Sequence, residues 1–279
     1  MSRTWIITGC STGIGRAIAE HVLSIGDAVA VTARDPAKVL NIAAAFPDRA
    51  IALPLDVTAT SSIDKAVAAT IDRFGKIDIL VNNAGYGYVA SIEEGDEAEV
   101  KAMFETNFFG ALRMMKAVLP GMRKRRSGRI IQISSLAGRI ANPATGYYSS
   151  SKFALEAVSE ALAREVSGLN IKVCSIAPGM FRSDFSGRSL KMGDSGTSDY
   201  EDSVGARMKL VKSADGKQQG DPRKLAELVV SVADMPNPPP QILAGPDAYA
   251  AVEARMAAVR QAMIEQRELS CGTNFEDQG

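Results

Sequence analysis

Histidine is nearly absent from this chain. Among 279 residues only His21 carries an imidazole, so a Ser-His-Asp triad or a multi-histidine metal site would have to rest on that one side chain. It stands among Ala19, Glu20 and Val22 in a helical pattern, where a packing role is the natural one, and no metal site is expected. Cysteine is scarce as well. Cys10, Cys174 and Cys271 are far apart, odd in number and fit no metal spacing. They point to reduced thiols in a cytoplasmic protein rather than to a disulfide framework. Neither sign of charge dominates: Lys+Arg and Asp+Glu both count 32, which gives no general reason to expect nucleic acid or an anionic membrane as partner. No apolar run approaches the length of a membrane span, and apolar periodicity from about Trp5 leaves no room for a signal peptide. The basic run Arg123-Lys124-Arg125-Arg126 closes a helical region that opens with Glu93, Glu94, Asp96 and Glu97. Acid first and base last complements the helix dipole, so the run is read as helix chemistry.

What is present is an alternation of short apolar runs and helical stretches. Trp5-Ile6-Ile7-Thr8 has the look of a buried strand. It leads directly into Gly9-Cys10-Ser11-Thr12-Gly13-Ile14-Gly15, and Arg16 to Leu23 then has helical periodicity. Strand, glycine-rich turn and helix in that order suit a dinucleotide phosphate, because glycines let the backbone approach the ligand and a helix N-terminus favours its charge. Further strands are expected at 28–32, 51–55, 77–81, 129–133, 171–176 and 241–244. Helices are expected from Asp35-Pro36, over about 61–74, from Asp96 toward Leu119, through Tyr148, over 222–234 and from Pro246 to about Glu268. Pro120 should end or kink its helix. Repeated βα units imply a doubly wound parallel sheet of Rossmann type with helices on both faces, here one domain over 1–279. The turn 9–15, Asp56, Asn82–Gly85, Ser134–Ser135 and Pro178–Gly179 all follow strands and should converge on the sheet's carboxyl edge. From Arg182 to Gly220 the regular pattern stops, yet apolar residues persist, so this stretch is expected to be an irregular substrate lid.

The chemistry should centre on Tyr148 and Lys152. In a helix their i,i+4 spacing puts both on one face, with Cβ atoms about 5–6 Å apart. Tyr147 has only Ser151 at that spacing. A nearby ammonium favours the phenolate, so the expectation is a tyrosine with a lowered pKa that serves as general acid or base.

Taken together, these residues resemble the short-chain dehydrogenase/reductase family over almost the whole chain. Thr8-Gly9-Cys10-Ser11-Thr12-Gly13-Ile14-Gly15 matches its T-G-x-x-x-G-x-G turn, Asn82-Asn83-Ala84-Gly85 its N-N-A-G, and Tyr148–Lys152 its Y-x-x-x-K. Ser135 lies thirteen residues before Tyr148, Asn107 lies between the fourth and fifth strands, and Pro178-Gly179 follows the sixth. The resemblance implies a catalytic set of Asn107, Ser135, Tyr148 and Lys152. Tyr148 would exchange a proton with the substrate oxygen, Lys152 would lower its pKa and hold the nicotinamide ribose, Ser135 would bond the substrate oxygen, and Asn107 would anchor a water. Ser134 is read as structural. The cofactor would be held by Gly9, Ser11, Thr12, Gly13, Ile14, Gly15, Arg34, Asp56, Val57, Asn82, Ala84, Gly85, Tyr148, Lys152, Pro178, Gly179, Phe181 and Ser183, the last replacing the family's usual threonine.

At the end of the second strand Ala33 and Arg34 stand where NAD-preferring relatives carry an acid, so NADP(H) is expected, with NAD(H) as the alternative. The implied activity is interconversion of a carbonyl compound and an alcohol, the alternative being a nucleotide sensor with little or no turnover. A small-molecule substrate, mainly apolar, would meet Tyr86, Tyr88, Ile140 to Pro143, Met180, Phe181 and lid residues such as Phe185. Arg139 and Arg182 could instead pair with a substrate carboxylate, or equally be solvated or hold the cofactor. Ala154, Ala157 and Ala161 form a small-residue face on the Tyr148 helix. Together with the family's habit of pairing through this helix, they point to a homodimer or homotetramer.

Overall fold

The computed structural model describes residues 2–183, 187, 189–193 and 198–275. Its centre is a seven-stranded sheet, every pairing parallel, with strands in the spatial order Ala50–Pro54, Ala28–Ala33, Thr4–Ile7, Ile79–Asn82, Gly128–Ile133, Ile171–Pro178 and Gln241–Ala244. In chain order the elements begin with β1 (Thr4–Ile7), α1 (Gly13–Ser24), β2 (Ala28–Ala33), α2 (Leu40–Ala45), β3 (Ala50–Pro54) and α3 (Thr60–Phe74). There follow β4 (Ile79–Asn82), β5 (Gly87–Val89), α4 (Glu97–Phe104), α5 (Ala111–Arg125), β6 (Gly128–Ile133), α6 (Gly146–Glu165) and β7 (Ile171–Pro178). The chain continues with β8 (Leu190–Met192), α7 (Ala206–Ser213), α8 (Pro222–Asp234), β9 (Gln241–Ala244), α9 (Pro246–Glu265) and α10 (Arg267–Cys271).

Strand alternation sorts the core into two layers. Ile7, Val29, Val31 and Val81 face the side covered by Ile18 and Val22 of α1 and Leu225 and Val229 of α8. Ile6, Ala30, Leu80 and Ile130 face Ile63 of α3 and Met114, Met115 and Met122 of α5. Both faces are therefore buried, which is why these strands read as continuous apolar runs. The chain winds from β1 out to β3, then returns to lay β4 on the other side of β1. That reversal opens a crevice beyond the carboxyl ends of β1 and β4.

Two expectations are corrected. Pro120 does not end its helix, since α5 runs through it to Arg125. Its missing N–H deprives the Lys116 carbonyl of a partner, and both residues lie on the solvent side, where water can serve that carbonyl. The real irregularity is earlier, a π-helical segment over Glu105–Gly110 between α4 and α5. The described residues after Arg182 do not form a wholly irregular loop either. β8 pairs with β5 as a small second parallel sheet, and a π turn (Glu201–Gly205) leads into α7. Tyr200, Val204 and Met208 pack with Leu190 on Val89 and Ala144, so the excursion carries its own small core.

Candidate active site

The nucleotide side is built where β1 and β4 end. Gly9 and Gly13 adopt φ of +73° and +59°, a region that L side chains rarely occupy, and the chain turns there into α1. A Cβ on Gly15 would stand 2.3 Å from the Asn83 amide nitrogen and 2.4 Å from the Gly9 carbonyl oxygen. Thr8 Oγ1 accepts from the backbone N–H of both Asn83 and Ala84 at 2.9 Å, while Asn83 Nδ2 donates to the carbonyls of Thr8 and Gly9 at 2.9 and 3.0 Å. The first glycine motif and N-N-A-G are thus one interlocked unit. Thr12, the N-cap of α1, makes no side-chain cap bond, so the side chain does not occupy the helix's opening amides. Beside Gly13 lies a cleft of about 500 Å³ lined also by Arg182, Ser183, Asp215, Gly216 and Pro222. A turn of this shape against a helix N-terminus fits the pyrophosphate of a dinucleotide.

The other sequence-predicted cofactor residues divide into two groups. Asp56 sits at the mouth, its carboxyl held below the usual range by the N–H and hydroxyl of Thr58 and by the field of Arg34. Arg34 is exposed just after β2. By contrast, three side chains turn inward. Asn82 Nδ2 donates to the Ala111 carbonyl at 3.1 Å, Val57 packs against Gly110, and Phe181 packs on the main core. Asn82 and Val57 are left to meet a ligand mainly through their backbone, while Phe181 stays partly open.

The chemical side is assembled by α6. Tyr148 and Lys152 are both buried, with the ammonium 5.9 Å from the phenol ring centroid. The Tyr148 hydroxyl hydrogen-bonds Ser135, whose Oγ also accepts from Ala137 N at 3.1 Å. Lys152 Nζ donates to the Ile133 carbonyl at 3.0 Å. Asn107, in the π segment, accepts from Tyr86 N at 3.0 Å and donates to Tyr86 O at 2.9 Å and to Ser151 Oγ at 3.2 Å. A Cβ on Gly85 would come 3.0 Å from Asn107 Oδ1 and 3.7 Å from Lys152 Nζ, so Gly85 lies between these two residues. Tyr147 is committed elsewhere, donating to the Ile92 carbonyl at 2.6 Å.

The expected lowering of the tyrosine pKa is not what this geometry gives. Burial pushes Tyr148 up to about 12, with the Ser135 hydrogen bond pulling the other way. Burial also pushes Lys152 down to about 8, opposed by the Glu156 carboxylate. Desolvation penalises whichever form is charged, and here it outweighs the Ser135 hydrogen bond at Tyr148 and the Glu156 carboxylate at Lys152.

The expected substrate contact at Tyr88 and the alternative role for Arg139 are corrected as well. Tyr88 is buried, its hydroxyl accepting from Asp96 N at 2.9 Å and its ring stacked 6.2 Å from Tyr147. Arg139 is locked in a buried pair with Glu156 and bonds Gln241, because Glu156 also accepts from Ser175 and needs a counter-charge. Arg182 donates to the Gln218 carbonyl and faces the cleft by Gly13, on the nucleotide side. Tyr86, Pro143 and Met180 remain accessible, while Phe185 lies outside the described residues. Asp247 was not anticipated. It accepts from Met180 N at 2.7 Å and so pins the segment after Gly179.

The sequence pattern of the family described as short chain dehydrogenase matches residues 3–193. The chain belongs to that family. Among relatives of this short-chain dehydrogenase, Oxidoreductase BOA17 of Botryotinia fuckeliana (strain B05.10) is 39% identical over 274 residues, 97% of this chain and 98% of its own. The 3-ketodihydrosphingosine reductase of Bacteroides thetaiotaomicron is 39% identical over 242 residues, 86% of this chain and 87% of its own. A crystal structure of a short-chain dehydrogenase from Streptomyces avermitilis matches with a TM-score of 0.92 at 38% identity, over 99% of both chains. Two more distant structures of the same fold hold cofactors. One, from Burkholderia phymatum, holds NAD (21% identical, TM-score 0.82, 94% of this chain and 95% of that one), and ElxO holds NADP (25%, 0.72, 88% and 97%). By this membership the chain is an oxidoreductase.

Proposed function

We propose that the chain is an NADP(H)-dependent carbonyl reductase or alcohol dehydrogenase acting on a mainly apolar ketone, aldehyde or secondary alcohol. The observation that carries this reading is the buried Ser135–Tyr148–Lys152 group, set beside a glycine turn suited to a dinucleotide. A bound nicotinamide supplies or takes up the hydride. Everything else falls to the chain's own residues. A Tyr148 pushed up to about 12 stays a phenol at neutral pH, the form that donates a proton to a carbonyl oxygen. Ser135 hydrogen-bonds that same oxygen as negative charge grows on it. Lys152, with its pKa near 8, can restore the phenol's proton at physiological pH. Asn107 keeps the Tyr86 backbone and Ser151 in register around this group, and a water relay to Lys152 through this residue is part of the proposal.

NADP(H) is favoured because Ala33 offers no carboxylate to repel a 2′-phosphate and the exposed Arg34 guanidinium can pair with it. An apolar substrate is favoured by Met180 and Tyr86 beside the site and by a relative named for a keto compound. The β8–α7 excursion would act as its lid. A homodimer or homotetramer is supported by Phe153, Ala157 and Ala161, an exposed stripe on α6 that does not pack on the sheet.

The test is a panel of ketones and alcohols followed at the absorbance band of the reduced nicotinamide, with each cofactor. The reading expects kcat/KM with NADPH to exceed that with NADH, and Arg34→Ala to weaken NADPH about tenfold or more while sparing NADH. Equal or better use of NADH overturns the cofactor assignment. Nucleotide binding without turnover of any compound favours a sensor.

A further inference from the structure

Beyond its first turns, α9 is left largely uncovered by the described residues. α9 is 20 residues long, yet Ala248 in its first turn is the single buried residue of the helix. The root is firmly fixed, since Asp247 accepts from Met180 N at 2.7 Å. Beyond it, Tyr249, Val252, Met256, Val259 and Met263 recur at spacings of three and four residues, the a and d positions of a coiled-coil seam. Four of them are open: Tyr249 is 59% exposed, Met256 67%, Val259 37% and Met263 69%. A stripe with this period can pack against another helix.

We propose that α9 is a pairing arm that docks antiparallel against α9 of a second copy of this chain. The charges flanking the seam select both the partner and the direction. In an antiparallel pair centred on Met256 opposite the partner subunit's Val259, Glu253 meets the partner subunit's Arg260 at both ends of a two-fold axis. A parallel pair would instead set Arg255 against the partner subunit's Arg260 twice, two like-charge contacts. A membrane surface fits poorly. The stretch from Asp247 to Cys271 holds Asp247, Glu253, Glu265 and Glu268 against Arg255, Arg260 and Arg267, whereas helices that lie on membranes are rich in cations. Pairing also requires little ordering, because the helix is already formed and anchored at its root. The arm is separate from the exposed stripe on α6, so the two faces can act in one assembly or in two steps.

The experiment uses the full chain and its charge-swapped forms Glu253→Arg, Arg260→Glu and the double swap. Sedimentation gives the mass, and amide exchange over 249–263 reports whether the arm is covered. The wild type should sediment as a multiple of 29.6 kDa, with dilution releasing the arm. Each single swap should weaken association about tenfold or, where the α6 face alone holds two copies together, speed exchange over 249–263 to a similar degree. The double swap should restore both readings, and so should mixing the two single swaps, which makes every flanking contact opposite in sign again. Unchanged melting temperatures would confirm that the exposed substitutions leave the body folded. The proposal is overturned if single swaps alter neither mass nor exchange, or if mixing fails to restore what they lose. It is also overturned if the wild-type arm gains protection only with vesicles of phosphatidylcholine and phosphatidylglycerol.

Discussion

The two walls of the active site are held by different kinds of bond. On the nucleotide wall, Thr8, Gly9, Gly15 and Asn83 are joined through backbone amides and carbonyls, mostly out of water, with spacing that leaves no room for a methyl group at position 15. On the opposite wall, the β8–α7 excursion is tied by ion pairs and hydrogen bonds near solvent, Lys191 to Glu99 and Tyr200 to Glu93, and by the small cluster around Val204. Exposed ion pairs contribute about 0–1 kcal/mol each. The first wall is preorganised and the second is held loosely enough to adapt. Tyr148 stands between them, bonded to Ser135 while its ring belongs to the Tyr88–Met103 cluster.

Substitutions that touch one wall at a time should expose this difference. The largest effect is expected at the residue shared by both. Tyr148→Phe removes only the proton-bearing oxygen, so nucleotide affinity and melting temperature should hold while kcat falls by about 10²–10⁴. Near-normal turnover by this variant would remove Tyr148 from the chemistry. Next comes Gly15→Ala. Its Cβ meets a backbone oxygen that cannot swing aside, and overpacking of this kind costs about 1–3 kcal/mol. A lower melting temperature together with lost nucleotide binding is expected, measured by thermal unfolding and by quenching of Trp5 or nicotinamide fluorescence. An unaffected variant would show that the nucleotide wall is softer than its spacing implies.

A third measurement reads the buried pair through pH. Lys152 is pushed from 10.5 to about 8, so the native state binds fewer protons than the unfolded chain between those values. Stability should therefore rise as pH climbs through that window, by up to about 3 kcal/mol if the shift is fully expressed. Tyr148 acts in the opposite sense. It is raised from 10.0 to about 12, and stability should fall as pH passes from 10 toward 12. Urea unfolding of the nucleotide-free protein at about pH 7 and about pH 10 would detect the rise, and Lys152→Met should flatten it. The smallest effect is expected on the adaptable wall. Val204→Asp breaks the contact with Val89 and Ala144, which should raise KM for bulky ketones several-fold and leave NADPH affinity unchanged. An equal loss on both sides would erase the distinction between the walls.

The same contrast decides how much could be read from sequence. All seven strands of the main sheet are legible as short apolar runs, most plainly the inner ones whose two faces are buried, as with Trp5-Ile6-Ile7 and Ile130-Ile131. The glycine turn and the Tyr148–Lys152 spacing are local patterns and carry over directly. β5 and β8 are not legible. Three residues each are too few to show a period, and Gly87 finds Leu190 only across a hundred residues of chain. The sign of the Tyr148 shift is hidden for a related reason. Lys152 is visible four positions away, but the burial that overrides it comes from Met103, Tyr88 and Ala90, which only the fold brings near. Arg139 looked available because its partners Glu156 and Gln241 lie 17 and 102 residues away.

The π-helical turn at Glu105–Gly110 has a consequence for how this chain can change over generations. Such a turn amounts to one extra residue held within a continuous helix. Losing a single residue there would let α4 and α5 join as ordinary α-helix, with Met114, Met115, Val118 and Met122 still facing the sheet. The fold would survive the deletion, but Asn107 would no longer reach the Tyr86 backbone. Under the role proposed for Asn107, a one-codon loss at this point would separate heritable architecture from heritable activity, and it would take from the candidate site the residue that holds the Tyr86 backbone.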